Sequence, residues 1–211
     1  MGILGDLFKP KPGPVKQPSV HGVSSSTDDG PHERWYVPSD GNRGRFVGPD
    51  GLPTLHLIPY TDTGGEDVLR LCEDSTGLLV GPSDTRLTHA GILVSRLRGE
   101  TYHRAACRRG DFTPGARVLL VPEPENPYDP KAVAVYDATG RHLCGYVNKQ
   151  KARAYLKRVA AGERIEAISI RGTAAGKQCE QVGVLAASPA VLNLLRSPRP
   201  TGLPRPAHLR E

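Results

Sequence analysis

"PENPYDPKAVAV", Pro124 through Val135, decides how the rest of the chain is read. A plain hairpin needs only two turn residues, typically Asn-Gly or Asp-Gly. Here three prolines, an Asn, a Tyr and an Asp crowd one corner before an alternating strand begins. Pro127 and Pro130 fix their own φ angles and hold the residue before each of them in extended geometry. Asn126 and Asp129 are thereby kept out of helix, and Tyr128 stands between them on a stiff loop. Two readings follow. In one, an aromatic face, an amide and a carboxylate are pre-organised for a ligand. In the other, Asn126 and Asp129 bond their own backbone in Asx-turns and Tyr128 packs on the body of the domain.

Downstream, "KAVAVYD" alternates at period two, with Ala132, Ala134 and Tyr136 opposed to Val133 and Val135. "DATG" turns the chain and "RHLCGYV" returns it. "NKQKARAYLKRVAAG" then switches to period 3.6, which predicts a helix near 148–161. Asn148 is its N-cap, Gly162 its stop, and Ala152, Tyr155, Leu156 and Val159 share one face. "GILVSRL" and "ARVLLVPE" upstream, and "RIEAISI" and "QVGVLAA" downstream, are four more strands. "GETYHRAACRRG" is a loop with room for a helical turn. "SPAVLNLLR" is a short helix capped by Ser188 with Pro189 in its first turn. Six short strands interrupted once by a helix predict a small closed barrel, mainly β in an α+β sense, spanning 90–187 with the short helix at 188–196.

Before the barrel, residues 32–85 read as a small β-rich extension. "RWYV", "RFVG" and "LPTLHLIPY" are short strands, and Trp35 plugs a satellite core. "GEDVLRLCE" fits a short helix or a strand. Residues 1–31 and 197–211, rich in Pro and polar residues, are expected to be disordered tails. The amphipathic start "MGILGDLF" fits a loose docking helix or a weak membrane contact.

The 24 Gly and 20 Pro make up more than a fifth of the 211 residues, which favours a loop-rich β domain over a helical bundle. No apolar run approaches a membrane span and no secretory core follows the start, so a cytoplasmic location is expected. Cys72, Cys107, Cys144 and Cys179 are widely spaced, with none of the paired spacing of a zinc site, and fit a reducing compartment. No metal and no cofactor is expected. The net charge of +6 is unevenly spread: residues 94–171 hold 15 Lys and Arg against 8 Asp and Glu, whereas the remainder holds 13 against 14. The excess positive charge lies on the segment containing the corner, a footprint for a polyanion. On the helix at 148–161, Lys149, Lys151, Arg153, Lys157 and Arg158 occur with no acid, as a phosphate track or as a solvated face.

"ETYHRAA" and "GDFTPGARVLLVPEPENPYDPKAVAVYDATGRHLCGYVNKQKARAYLKRVAAG" together resemble the HIRAN domain, in the arrangement of stand-alone, actinobacterial-type members. The shared pattern is a Tyr after the first strand, a Glu-Pro-x-Asn-Pro-Tyr-Asp corner, a small-small-Val strand, a Gly-Tyr or Gly-His pair and a helix. The resemblance implies a modified OB-like barrel that binds single-stranded DNA at a free 3′ end. It implies that Tyr128 and Tyr102 hold the terminal base, that Asp129 accepts from the 3′-hydroxyl, and that Asn126, Tyr146 and Lys149 complete the interface, to which the basic helix adds Arg153. Two positions depart from the pattern: Thr101 replaces a basic residue, and "RGTAAGKQ" offers no aromatic.

The expected function is therefore a non-catalytic nucleic-acid-binding module serving DNA repair, with a helicase or repair protein as a further partner and a monomer or weak oligomer as its state. No G-x-x-x-x-G-K-[ST] occurs, so the chain carries no such ATPase motif of its own. The alternative is a protein-interaction scaffold that keeps the barrel without binding DNA ends. A nuclease would want clustered carboxylates for metal ions, and "YDPK" offers one Asp.

Overall fold

The computed structural model describes residues 33–179 and 181–210. The tail expected over 1–31, with its amphipathic start, lies outside the described residues. Strand β1 (Leu55–Thr61) turns back into β2 (Asp67–Glu73), with Leu55 opposite Glu73 and Thr61 opposite Asp67. The turn is set by Asp62, whose Oδ1 accepts from the backbone of Gly64 and Glu66, and by Gly65 at φ +77°. "GEDVLRLCE" is thus a strand. The short β3 (Leu79–Val80) completes a three-stranded antiparallel sheet.

Two of the expected short strands are not ladders. Glu33–Trp35 is a single 3₁₀ turn, and Tyr36 and Val47 make only isolated bridges, to Leu79 and Pro53. Side-chain bonds within the loop compete with pairing: Asp40 accepts from Asn42 N, and Asn42 from Gly44 N. Trp35 packs against a small cluster of Ile58, Cys72 and Leu79.

The barrel comprises β4 (Leu93–Arg98), β5 (Arg117–Glu123), β6 (Ala132–Asp137), β7 (Leu143–Val147), β8 (Glu166–Arg171) and β9 (Gly183–Ala187). They close in the order β4-β7-β6-β5-β8-β9 with every pair antiparallel. Closure depends on β4 changing partner along its length. Leu93 to Arg96 pair with β9, whereas Leu97 and Arg98 pair with β7. Helix α1 (Arg104–Arg109) fills the loop after β4, α2 (Lys149–Ala160) links β7 to β8, and α3 (Pro189–Arg196) follows β9. Among the described residues there is therefore one more helix than periodicity predicts, because α1 is too short to show a stripe.

Strand β9 is buried throughout, and β4 over Leu93–Ser95 and β8 over Ala167–Ser169 are buried on both faces. Leu93, Leu97, Ala167, Val184 and Ala186 join the barrel interior with Phe112, Val133 and Val135. The alternate residues Ile92, Val94, Ile168 and Leu185 join a second core with Phe46, Leu55, Leu71, Leu87, Leu192 and Leu195. Arg171 on β8 adds ion pairs to Asp62 and Glu66 of the β1–β2 turn. Helix α2 plugs the barrel with Ala152 and Tyr155, and the Tyr155 hydroxyl donates to Leu120 O at 3.1 Å. Val159, placed on the same face by periodicity, is exposed near the helix end.

Residues 197–210 differ from the disorder their composition suggests. Arg199 donates to the Asp74 carboxylate at 3.2 Å and to its carbonyl at 2.8 Å, Ala207 N donates to Gly77 O at 2.8 Å, and Ala207 is buried. A segment poor in apolar side chains is held by backbone and guanidinium bonds to the three-stranded sheet.

Candidate nucleic-acid interface

The corner between β5 and β6 is locked from inside. Asn126 Oδ1 accepts from Tyr128 N at 3.0 Å and Asp129 N at 3.2 Å, while its Nδ2 donates to Glu123 Oε2 at 2.8 Å. Asp129 Oδ1 accepts from Lys131 N at 2.9 Å, and its carbonyl accepts from Ala132 N at 2.8 Å, where β6 begins. Both Asx-turns are therefore formed, and yet Tyr128 does not pack on the barrel: it is 96% exposed. The Asn126 carbonyl oxygen accepts twice within the turn and its amide bonds both Glu123 and Tyr146, leaving that side chain little capacity for a ligand. Asn126 is a positioning residue for Tyr128 and Asp129.

Tyr102, 90% exposed, comes from the other side of the site. After β4 the chain passes Gly99, at φ +81°, into a 3₁₀ turn over Glu100–Tyr102, with Tyr102 N donating to Gly99 O at 2.9 Å. A Cβ at Gly99 would lie 3.9 Å from Tyr146 Cδ2 and 4.0 Å from Tyr102 Cδ2, so the two rings bracket this glycine. The turn is fastened by Glu100, whose carboxylate accepts from Val182 N at 2.8 Å. Burial pushes the Glu100 carboxyl above the usual range, against the bond from Val182 and the nearby Arg98 and Arg96.

Tyr146 is the half-buried hinge between these two parts. On β7 it stands opposite Arg98 of β4 and Ala134 of β6, and the His103 ring lies 6.0 Å away, centroid to centroid. Burial pushes its phenol upward, as do the charge and hydrogen bond of Glu123, while a bond from Asn126 opposes them. Gly145 beside it is required by close approach, since a Cβ there would meet Arg98 O at 2.7 Å.

Helix α2 starts one residue beyond β7. Asn148 N donates to the buried Ser95 Oγ at 3.0 Å, and Asn148 Oδ1 accepts from Gln150 N at 3.0 Å, which fixes the first turn. Lys149 Nζ then lies 3.9 Å from Asp129 Oδ2. The five cations of this helix divide by environment. Arg158 is bound to Glu163 at 2.7 Å and to Gly91 O at 2.8 Å. Lys151 is half-buried, and burial draws its ammonium downward against the Asp84 charge. Lys149, Arg153 and Lys157 are exposed at i, i+4 and i+8, one stripe along the helix. Arg153 and Lys157 carry no ion pair among the described residues.

Tyr102, Tyr128, Asp129, Tyr146 and Lys149 thus converge where β4, β7 and the β5–β6 corner end, and Arg153 continues outward from them. Sequence reading missed Glu100, Glu123 and Ser95 as supports. The two glutamates lie inside the motifs that drew attention, but their partners, Val182 and Tyr146, are distant in sequence. Among the described residues no group of three or more His, Cys, Asp or Glu side chains is placed to hold a metal ion, and no helix is long and apolar enough to cross a membrane.

The HIRAN domain family model matches residues 91–183, which include every residue of this site. Among solved structures, the chain is similar to the HIRAN domain of human HLTF at 22% identity and a TM-score of 0.35, covering 50% of this chain and 83% of that one. It is also similar to a protein from Lactobacillus plantarum at 21% identity and a TM-score of 0.33, covering 44% of this chain and 91% of that one. No curated protein matches the chain.

Proposed function

Because residues 91–183 carry a HIRAN domain, known in general as a nucleic-acid-binding module, we propose that this chain binds single-stranded DNA at a free 3′-hydroxyl end and is not catalytic by itself. The carrying observation is that Tyr128 is held 96% exposed by a turn whose backbone is fixed by the Asn126 side chain. An aromatic side chain kept out of a core by three hydrogen bonds and two prolines stabilises nothing by burial. It is a stacking face, and stacking accepts any base. Tyr102 supplies the second face. Asp129 presents a carboxylate oxygen, an acceptor for a hydroxyl and a repellent for a terminal phosphate. Lys149, Arg153 and Lys157 receive the phosphates behind the terminal nucleotide.

The test compares oligonucleotides of one sequence ending in 3′-hydroxyl or 3′-phosphate, each titrated across a salt series. The reading expects preference for the hydroxyl end and affinity that falls with salt. Equal affinity for the two ends removes the end-recognition claim. No binding to either favours the protein-interaction scaffold.

A further inference from the structure

Behind the tyrosines lies a pair of thiols that the proposed function does not use. Cys107 is the buried residue of α1, and Cys144 sits on β7, two positions before Tyr146. Their sulfurs are 2.7 Å apart, and Cys107 Sγ also lies 3.3 Å from Cys144 O. Both belong to the barrel core, and Cys179, half-buried, packs against the same cluster. Cys72 lies in a separate cluster under the three-stranded sheet.

We propose that Cys107 and Cys144 are a redox-active dithiol that peroxide closes to a disulfide, clamping α1 to β7 behind Tyr102 and Tyr146. The sulfurs need to close by less than about 1 Å to reach bonding distance. Helix α1 already packs on β7.

The two thiols are not equivalent. The hydrogen bond between the sulfurs lowers the Cys107 thiol, whereas the same bond and burial raise that of Cys144. Cys107 also lies on a six-residue helix whose other residues are exposed or half-buried, so local opening of one turn uncovers it. Cys144 is in a strand flanked by β4 and β6. Cys107 is therefore the attacking thiolate. Its sulfur takes one oxygen from hydrogen peroxide, the O–O bond breaks, and the other oxygen leaves as water after gaining a proton. Cys144 sulfur then attacks the Cys107 sulfenic acid; the S–S bond forms, the S–O bond breaks and a second water leaves. The two sulfurs together lose two electrons and the peroxide gains them. A dithiol reductant reverses the step by exchange.

The experiment treats the full chain with hydrogen peroxide, quenches it in acid, alkylates it under denaturing conditions and maps the peptides. The expected result is a mass lower by two hydrogens, a Cys107–Cys144 linkage, a higher melting temperature than the reduced protein, and full reversal by dithiothreitol. In Cys144→Ser the sulfenic acid should persist and label with dimedone at Cys107, whereas Cys179→Ser should still close the bond. Free Cys107 and Cys144 after oxidation of Cys179 would overturn the proposal, as would a linkage through Cys179 or Cys72. Dimedone labelling elsewhere in Cys144→Ser would overturn the assignment of Cys107 as the attacking sulfur. Wild-type mapping decides the linkage even if a variant fails to fold.

Discussion

Lys149 and Asp129 face each other across the gap between α2 and the corner, Nζ to Oδ2 at 3.9 Å, with 66% and 32% of their side chains exposed. An ion pair this long and this wet contributes little to stability. The ion pair can therefore be removed without loss of the fold where Asp129 is replaced by Asn, which keeps an oxygen for Lys131 N, and each member probes a different part of the ligand. Asp129→Asn keeps an acceptor but no longer repels phosphate. Discrimination between 3′-hydroxyl and 3′-phosphate ends should shrink more than affinity does, as read by fluorescence anisotropy with both oligonucleotides. Lys149→Ala should lower the salt slope of single-strand binding by about 0.7, one phosphate contact. An unchanged slope would take Lys149 out of the interface.

Tyr128→Ala and Tyr102→Ala should each weaken single-strand binding by about 1–3 kcal/mol, the loss of one stacking face. Their melting temperatures should stay at the wild-type value, because both rings are almost wholly exposed. Calorimetric binding and a thermal melt on the same sample separate the two effects.

Asn126→Ala removes the bonds to Tyr128 N, Asp129 N and Glu123 that define the corner, and the bond to Tyr146. The expected loss of stability is about 1 kcal/mol, because the turn is partly solvated. Binding should fall as far as in Tyr128→Ala, although Asn126 has little capacity left to touch a ligand. A variant that binds like wild type would show that Pro127 and Pro130 suffice to hold the turn.

Glu100 predicts a pH dependence of stability. Burial raises its folded pKa above that of the unfolded chain. Its stabilising contribution is complete below the unfolded value and is lost as pH rises through the raised folded value. Glu100→Gln keeps an oxygen to accept from Val182 N and never ionises. The stability of the variant relative to wild type should therefore rise between acid and neutral pH, measured by urea denaturation at several pH values. A constant difference across that range would count against it.

The barrel is legible in the sequence wherever a local signal suffices. Alternation marks β6, and Asn148 and Gly162 bound α2 with the cap and the positive φ expected of them. The corner announces its rigidity through its prolines, but its hydrogen bonds leave Asn126 a support and Tyr128 a free face, a division composition cannot make. What stays hidden depends on distant partners. Arg199 meets Asp74 from 125 positions away, so the Pro-rich end reads as unstructured. Glu100 finds Val182 across 82 positions. The basic helix looks uniform in sequence, and only Glu163, Gly91 and Asp84 sort its cations into tethered and exposed.

The double-faced burial of β4, β8 and β9 bears on how portable this domain is. A boundary drawn by family similarity, at 91 and 183, runs through a hydrophobic core and severs β9 almost entirely. The excised piece would keep the tyrosines, the corner and the helix. It would also leave β4 and β8 with open edges, and Ile92, Val94 and Ile168 facing water. Open apolar edges are templates for pairing with another copy. The tyrosine cluster thus keeps its packing only together with its flanks, the three-stranded sheet before the barrel and helix α3 with residues 197–210 after it.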